Sequence, residues 1–209
     1  MTFITFEGIS GAGVSTQAQL LRDYFQSINF SALLTRELGG SPGAEQVRSL
    51  LLEQSGRWSP PAELLLYAAA RRDHSERTIW PALKNGDIVI CDHFADRDRA
   101  LFSLGESDLR RAVDLLHSTF IHHEPEITFL IDVLPETAQK QMEEAGQVPS
   151  STAWVSSLLE TDLRVAYLEL AKEFPERIKV IDGNQLVYVI HQAVLGHLHK
   201  AKMLPALQD

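Results

Sequence analysis

Lysine is scarce in this sequence of 209 residues: there are six, and the first is Lys84. Positive charge is short as a whole, with 19 basic against 28 acidic residues and a net charge of −9. So acidic a chain is a poor partner for nucleic-acid polymers, whose binding rests on many neutralised phosphates. Cysteine is nearly absent. The single Cys91 excludes an internal disulfide framework, fits a reducing compartment, and reads as a small buried residue in the run Asp87-Ile-Val-Ile-Cys-Asp92. No apolar run approaches the ~20 residues that span a membrane. The opening Met-Thr-Phe-Ile-Thr-Phe-Glu lacks the basic segment of a signal peptide. With 44% hydrophobic and 22% charged residues, the composition is that of an ordinary globular protein. One domain over 1–209 and a cytoplasmic location are expected.

What is present is an alternation of short apolar runs and helical periodicity. Phe3-Ile-Thr-Phe6, residues 31–35, Ile88-Val-Ile-Cys91, Ile127-Thr-Phe-Leu-Ile131 and Ile178-Lys-Val-Ile181 read as strands. Helical spacing covers 15–26, 44–53, 60–83, 108–120, 137–144, 154–174 and 186–202. Strands separated by helices of this length predict an α/β fold, with a parallel sheet of about five strands and helices on both faces.

The first turn, Gly8-Ile-Ser-Gly-Ala-Gly13-Val14-Ser15-Thr16, has the spacing of a phosphate-binding loop, G-x-x-x-x-G-K-[ST], between a strand and a helix. Glycines let backbone N–H groups wrap a phosphate, and the following helix adds the positive end of its dipole. Ser15 stands at the hydroxyl position for Mg²⁺. Position 14, however, is Val, and residues 1–83 hold no lysine to stand in. The backbone remains able to bind an anion; stabilisation of a transferring phosphoryl suffers by ~10²–10³ in rate for one lost charged donor.

The surrounding motifs resemble bacterial thymidylate kinases over nearly the whole chain. The opening Phe3-Ile-Thr-Phe-Glu-Gly-Ile-Ser-Gly-Ala-Gly-Val-Ser-Thr-Gln17 is similar to theirs, and Thr35-Arg-Glu-Leu-Gly-Gly40 is similar to T-R-E-P-G-G. Glu63-Leu-Leu-Leu-Tyr-Ala-Ala-Ala-Arg71 resembles their nucleoside-side helix, and Ile88-Val-Ile-Cys-Asp-His-Phe94 their I-V-I-C-D-R-Y strand end. Arg164-Val-Ala-Tyr-Leu-Glu-Leu-Ala171 and Ile181-Asp182 follow in the same order. The resemblance implies a P-loop nucleoside monophosphate kinase fold with a lid near 140–155. It implies transfer of the γ-phosphoryl of ATP to dTMP with Mg²⁺, and a homodimer. By the same resemblance Gly8, Gly11, Gly13, Ser15 and Thr16 face the ATP phosphates. Arg36 approaches the dTMP phosphate, with Arg48 a second basic candidate. Tyr67 stacks on thymine, Arg71 contacts the base, and Asp92 joins Ser15 in organising Mg²⁺. Arg36 and Asp92 are thus the expected catalytic pair.

Several departures fall at chemically demanding positions. Val14 replaces the loop Lys, Ser10 the loop acid, and His93 the Arg of D-R-Y. The run Ala95-Asp-Arg-Asp-Arg-Ala-Leu-Phe102 replaces D-S-S-x-A-Y-Q, and no basic residue lies between Lys140 and Arg164, where lid arginines are expected. Arg97 and Arg99 are new basic groups, expected to be solvated or paired with Asp96 and Asp98, with relocated site charge the alternative. Leu38 replaces the Pro of T-R-E-P-G-G, which predicts a changed turn. His117, His122 and His123 read as a solvated surface cluster. Since phosphoryl transfer is almost wholly positioning and charge stabilisation, these departures predict weak or lost activity. The alternative is a non-catalytic pseudokinase, serving as a nucleotide-binding or protein-interaction and dimerisation module.

Overall fold

The computed structural model describes residues 2–53, 58–104, 109–146 and 157–204, with backbone alone for 157–159. Five strands, β1 (Thr2–Glu7), β2 (Ala32–Arg36), β3 (Ile88–Asp92), β4 (Ile127–Asp132) and β5 (Ile178–Asp182), form one all-parallel sheet in the order β2-β3-β1-β4-β5. The helices are α1 (Val14–Ser27), α2 (Pro42–Glu53), α3 (Pro60–His74), α4 (Trp80–Asn85), α5 (Ala95–Leu101), α6 (Leu109–Phe120), α7 (Pro135–Glu144), α8 (Ser157–Glu173) and α9 (Val187–Lys200).

The near-continuous apolar character of β3 and β4 has a simple cause: both faces of the sheet are covered. Side chains alternate between two cores. Phe3, Val89 and Cys91 pack with Ile79, Leu83, Phe94 and Ile121 on one face. Ile4, Phe6, Ile88, Ile90 and Phe129 pack with Leu21, Phe25, Tyr167 and Val194 on the other. The central β1 is buried from Phe3 to Glu7.

The helix expected over 60–83 is α3 and α4 joined by one π turn, Ser75–Ile79, with helical backbone at both junctions. Helix α5 is an addition: seven residues gave too short a window for periodicity to declare it. The segment expected as a lid, 140–155, is described as far as 146, where α7 has ended; 147–155 lie outside the described residues. Cys91 is fully buried, as expected. Among the described residues no helix is long and apolar enough to cross a membrane.

Candidate active site

The connections leave β1 and β3 in opposite directions: β1 leads outward to β2, and β3 returns past β1 to β4. A parallel sheet offers its binding crevice beyond the carboxyl ends of the strands at such a point. The register makes those ends level. Phe6 and Arg36 both stand opposite Asp92, so the loop after β1, Arg36 and Asp92 share one edge.

The loop over 8–13 is tightly packed. Gly11 and Gly13 both have left-handed backbone, with φ of 82° and 84°, a conformation costly for residues with a Cβ. A Cβ on Gly11 would meet the Ala138 carbonyl of α7 at 2.4 Å, and one on Gly8 would meet the Ile131 carbonyl at 2.8 Å. The loop therefore holds its shape by close backbone approach, and it opens onto α1.

Two residues of this edge fit a hard divalent cation. The Ser15 hydroxyl donates to Asp92 Oδ2 at 2.5 Å, while Asp92 Oδ1 is buried without a hydrogen-bond partner among the described residues. A buried carboxylate oxygen without a hydrogen bond, its ionic neighbour His93 Nε2 at 3.8 Å, beside a loop hydroxyl supplies oxygen donors of the kind Mg²⁺ takes.

The loop lines a cavity of about 650 Å³, together with His93, Arg97, Glu160, Tyr167 and the loop preceding α9. A second cavity, of about 380 Å³, adjoins it and is lined by Arg36, Arg48, Tyr67, Asp92 and Arg97 among others. The expected site residues therefore divide. Gly8, Gly11, Gly13, Ser15 and Thr16 line the first cavity; Arg36, Arg48, Tyr67 and Asp92 line the second. Arg36 is exposed and holds Glu45 at 2.9 Å, and Arg48 donates to the Leu38 carbonyl at 3.2 Å. Tyr67 is buried, its ring edge-on to Phe102 at 5.9 Å.

Arg71 stands apart. Only 3% exposed, it pairs with Glu37 and with Asp98, each at 2.8 Å, and its guanidinium lies 5.2 Å from the Phe94 ring. It lines neither cavity. Val14 is 5% exposed and packs into the core, so the place of the loop lysine is taken by a hydrocarbon.

The departures around the loop have local structural consequences. Ser10, in place of an acid, donates its hydroxyl to Glu160 Oε1 at 2.7 Å, and its N–H reaches Glu160 Oε2 at 3.3 Å. A carboxylate is thus returned to the loop from α8, 150 residues away, a distance at which no sequence spacing could signal it. His93 takes φ of 63° and places Nδ1 2.8 Å from Glu7 Oε2. Glu7 also accepts from the Phe94 N–H and from the Tyr167 hydroxyl. Its burial outweighs these partners and lifts its pKa above the ordinary carboxylate value.

Three expectations need correction. The 37–40 turn has a cis peptide between Glu37 and Leu38 although residue 38 is not proline. His117 is buried, not solvated: it contacts the His123 carbonyl at 3.1 Å, and burial lowers its pKa to about 4. Of the two new arginines, Arg99 binds Asp96 as expected, while half-buried Arg97 pairs with neither Asp96 nor Asp98, because those acids are taken. Asp96 is bound by Arg99 and Arg177, and Asp98 by Arg71. Arg164, the arginine that follows the basic-free stretch, is likewise committed, to Asp132 at 2.6 and 2.8 Å.

Comparison with known proteins agrees with this geometry. Residues 6–194 match the family model described as thymidylate kinase. A thymidylate kinase of Ruegeria pomeroyi is 43% identical over 205 residues, covering 96% of this chain and 97% of that protein. One of Dinoroseobacter shibae is 46% identical over 206 residues, covering 93% and 95%. The crystal structure of a thymidylate kinase from Ehrlichia chaffeensis superposes with a TM-score of 0.75 at 34% identity, covering 95% of this chain and 98% of that one. The loop after a central strand, the level carboxyl edge and these relatives lead to one family: the chain is a member of the thymidylate kinases.

Proposed function

We propose that this protein binds Mg²⁺·ATP in the loop cavity and dTMP in the adjoining one, and forms ADP and dTDP slowly. The observation that carries this reading is the intact backbone cradle beside a hydrocarbon at position 14, which keeps anion binding and removes the charge that transfer needs. Mg²⁺, when bound, screens the phosphates; Ser15 and Asp92 are the residues that would hold it. Gly8, Gly11, Gly13 and Thr16 cradle the ATP phosphates, and Arg36 and Arg48 receive the dTMP phosphate. Tyr67 forms the wall on the thymine side. Arg71 acts through Glu37 and Asp98, fixing the floor of the dTMP cavity rather than touching the base.

The missing lysine bears on rate more than on binding. Backbone N–H groups and the α1 dipole remain to favour a phosphate, but the charge that develops on transfer loses one fixed cation. Loss of one such donor costs ~10²–10³, which takes a family-like rate of ~1–100 s⁻¹ to about 1 s⁻¹ or below. Glu160, at Ser10, adds repulsion.

We also propose that the protein is a cytoplasmic homodimer. The buried thiol of Cys91 suits a reducing compartment. Leu65 of α3 and Leu115 of α6, 59% and 66% exposed on adjacent helices, supply an apolar face for a second copy.

Thermal shift separates binding from chemistry, since a ligand bound only by the folded state stabilises it by about 2.7 kcal/mol at a hundred times Kd. Stabilisation by Mg²⁺·ATP and by dTMP is expected, with Asp92→Asn abolishing the Mg²⁺-dependent part. No shift with either nucleotide at millimolar concentration would overturn the reading.

A further inference from the structure

The two cavities share three lining residues: Ser15, His93 and Arg97. Arg97 is the one arginine or lysine among the described residues that line the loop cavity. Its neighbours in α5 are all neutralised. Asp96 lies between Arg99 and Arg177 at 2.9 and 2.5 Å, Asp98 is held by Arg71, and Arg99 is bound by Asp96, Asp114 and Glu124. Arg97 itself forms no ion pair among the described residues, and the acids whose field reaches it, Asp98 and Glu7, are committed to Arg71 and to His93.

Arg97 is half-buried, and a partly desolvated guanidinium without a counter-charge is costly. Here the buried network beneath α5 keeps it so. Arg177 holds Asp96 of the helix and also donates to Thr128 of β4, and Asp114 and Glu124 hold Arg99, so the helix cannot turn Arg97 towards a carboxylate without breaking these bonds. An unpaired cation fixed on the wall common to two nucleotide-sized cavities is arranged for anions arriving from both sides.

We infer that Arg97 is the phosphate-gripping cation of this chain, bridging the γ-phosphoryl of ATP and the phosphate of dTMP, while the charge of the absent loop lysine stays unreplaced. This inference rests on the reading that the two cavities take the two nucleotides. In the transfer, the bond from the γ-phosphorus to its bridging oxygen breaks and ADP leaves with the electron pair. A phosphate oxygen of dTMP bonds to that phosphorus, and Arg97 keeps its protons throughout. Its planar donors meet oxygens of both groups, which a lysine reaching from the loop beneath would do from one side only.

The test uses a bisubstrate probe, adenosine and thymidine joined 5′ to 5′ by five phosphates, and compares it with ADP, which stops short of the shared wall. Arg97→Gln is expected to weaken the probe by about 100-fold, as loss of charged hydrogen bonds implies, and ADP by less than about threefold. Arg97→Lys, which keeps the charge, recovers the probe to within about tenfold of wild type. Arg97→Met replaces Gln if Gln does not fold. Probe affinity within threefold of wild type in the charge-removing variant, or equal loss for ADP and probe, overturns the assignment. The proposed turnover fails separately: if wild type binds the probe through Arg97 yet forms no dTDP, Arg97 stands and the kinase reading falls. If dTDP forms equally with and without Arg97, the reverse holds.

Discussion

Arg71→Leu is the perturbation that separates a ligand-contacting arginine from a structural one. The side chain ties three parts of the molecule: α3, which carries it, the turn after β2 through Glu37, and α5 through Asp98. Leucine leaves two buried carboxylates without the cation they share and gives up the contact with the Phe94 ring. Breaking a buried pair by deleting one partner costs about 3–5 kcal/mol, a large part of the ~5–15 kcal/mol that holds a domain together. The deficit depends on pH. Burial pushes Asp98 up to about 6, with Arg71 offsetting part of the rise. A carboxyl raised above its unfolded value contributes stability that is full below that value and lost as pH climbs through the folded one. Without Arg71 the rise is larger, so the variant falls further behind wild type at pH 8 than at pH 5. Urea unfolding at both pH values measures this. A loss under about 1 kcal/mol together with a hundredfold loss of dTMP binding would refute the argument and return Arg71 to the base-contacting role that the family resemblance implies.

Other substitutions probe separate parts of the account. His117, lowered by burial to about 4, is neutral in the fold and protonated in the unfolded chain below about 6.5. Wild type therefore loses up to about 3 kcal/mol between those pH values, and His117→Phe flattens that decline in a pH series of denaturation midpoints. Glu160→Gln removes a carboxylate from the phosphate loop and is expected to tighten Mg²⁺·ATP about fivefold, in line with the ~1 kcal/mol of a part-exposed charge interaction. An unchanged dissociation constant by calorimetry contradicts the repulsion. Leu65→Glu with Leu115→Glu places charge on the proposed dimer face. Light scattering is expected to report a monomer for the double variant and a dimer for wild type.

The fold was legible because its signals were local. β3 and β4 are runs of apolar residues, the 8–16 loop carries its own spacing, and the intervening helices are long enough to show a period. α5 escaped because seven residues span barely two turns and because its Asp-Arg-Asp-Arg run looks like solvent-facing charge. In the structure Asp96, Asp98 and Arg99 are buried and answered mainly by residues far away in sequence, while Arg97 forms no ion pair among the described residues. Glu160 beside Ser10 and Arg177 beside Asp96 are of the same kind: tertiary partners with no register to reveal them. Arg71 was legible as a position but not as an environment, since the acids that claim it lie 34 residues before it and 27 after it. The loss at position 14 needed no structure at all, because a valine carries no charge in any fold.

Whether a cradle without its ammonium moves a phosphoryl is decided by single-turnover formation of dTDP from Mg²⁺·ATP and saturating dTMP. Ser15→Ala purified in parallel sets the background. The account predicts a wild-type rate of about 1 s⁻¹ or less and a rise of about 10²-fold in Val14→Lys. A wild-type rate of ~1–100 s⁻¹ that Val14→Lys leaves unchanged would contradict it.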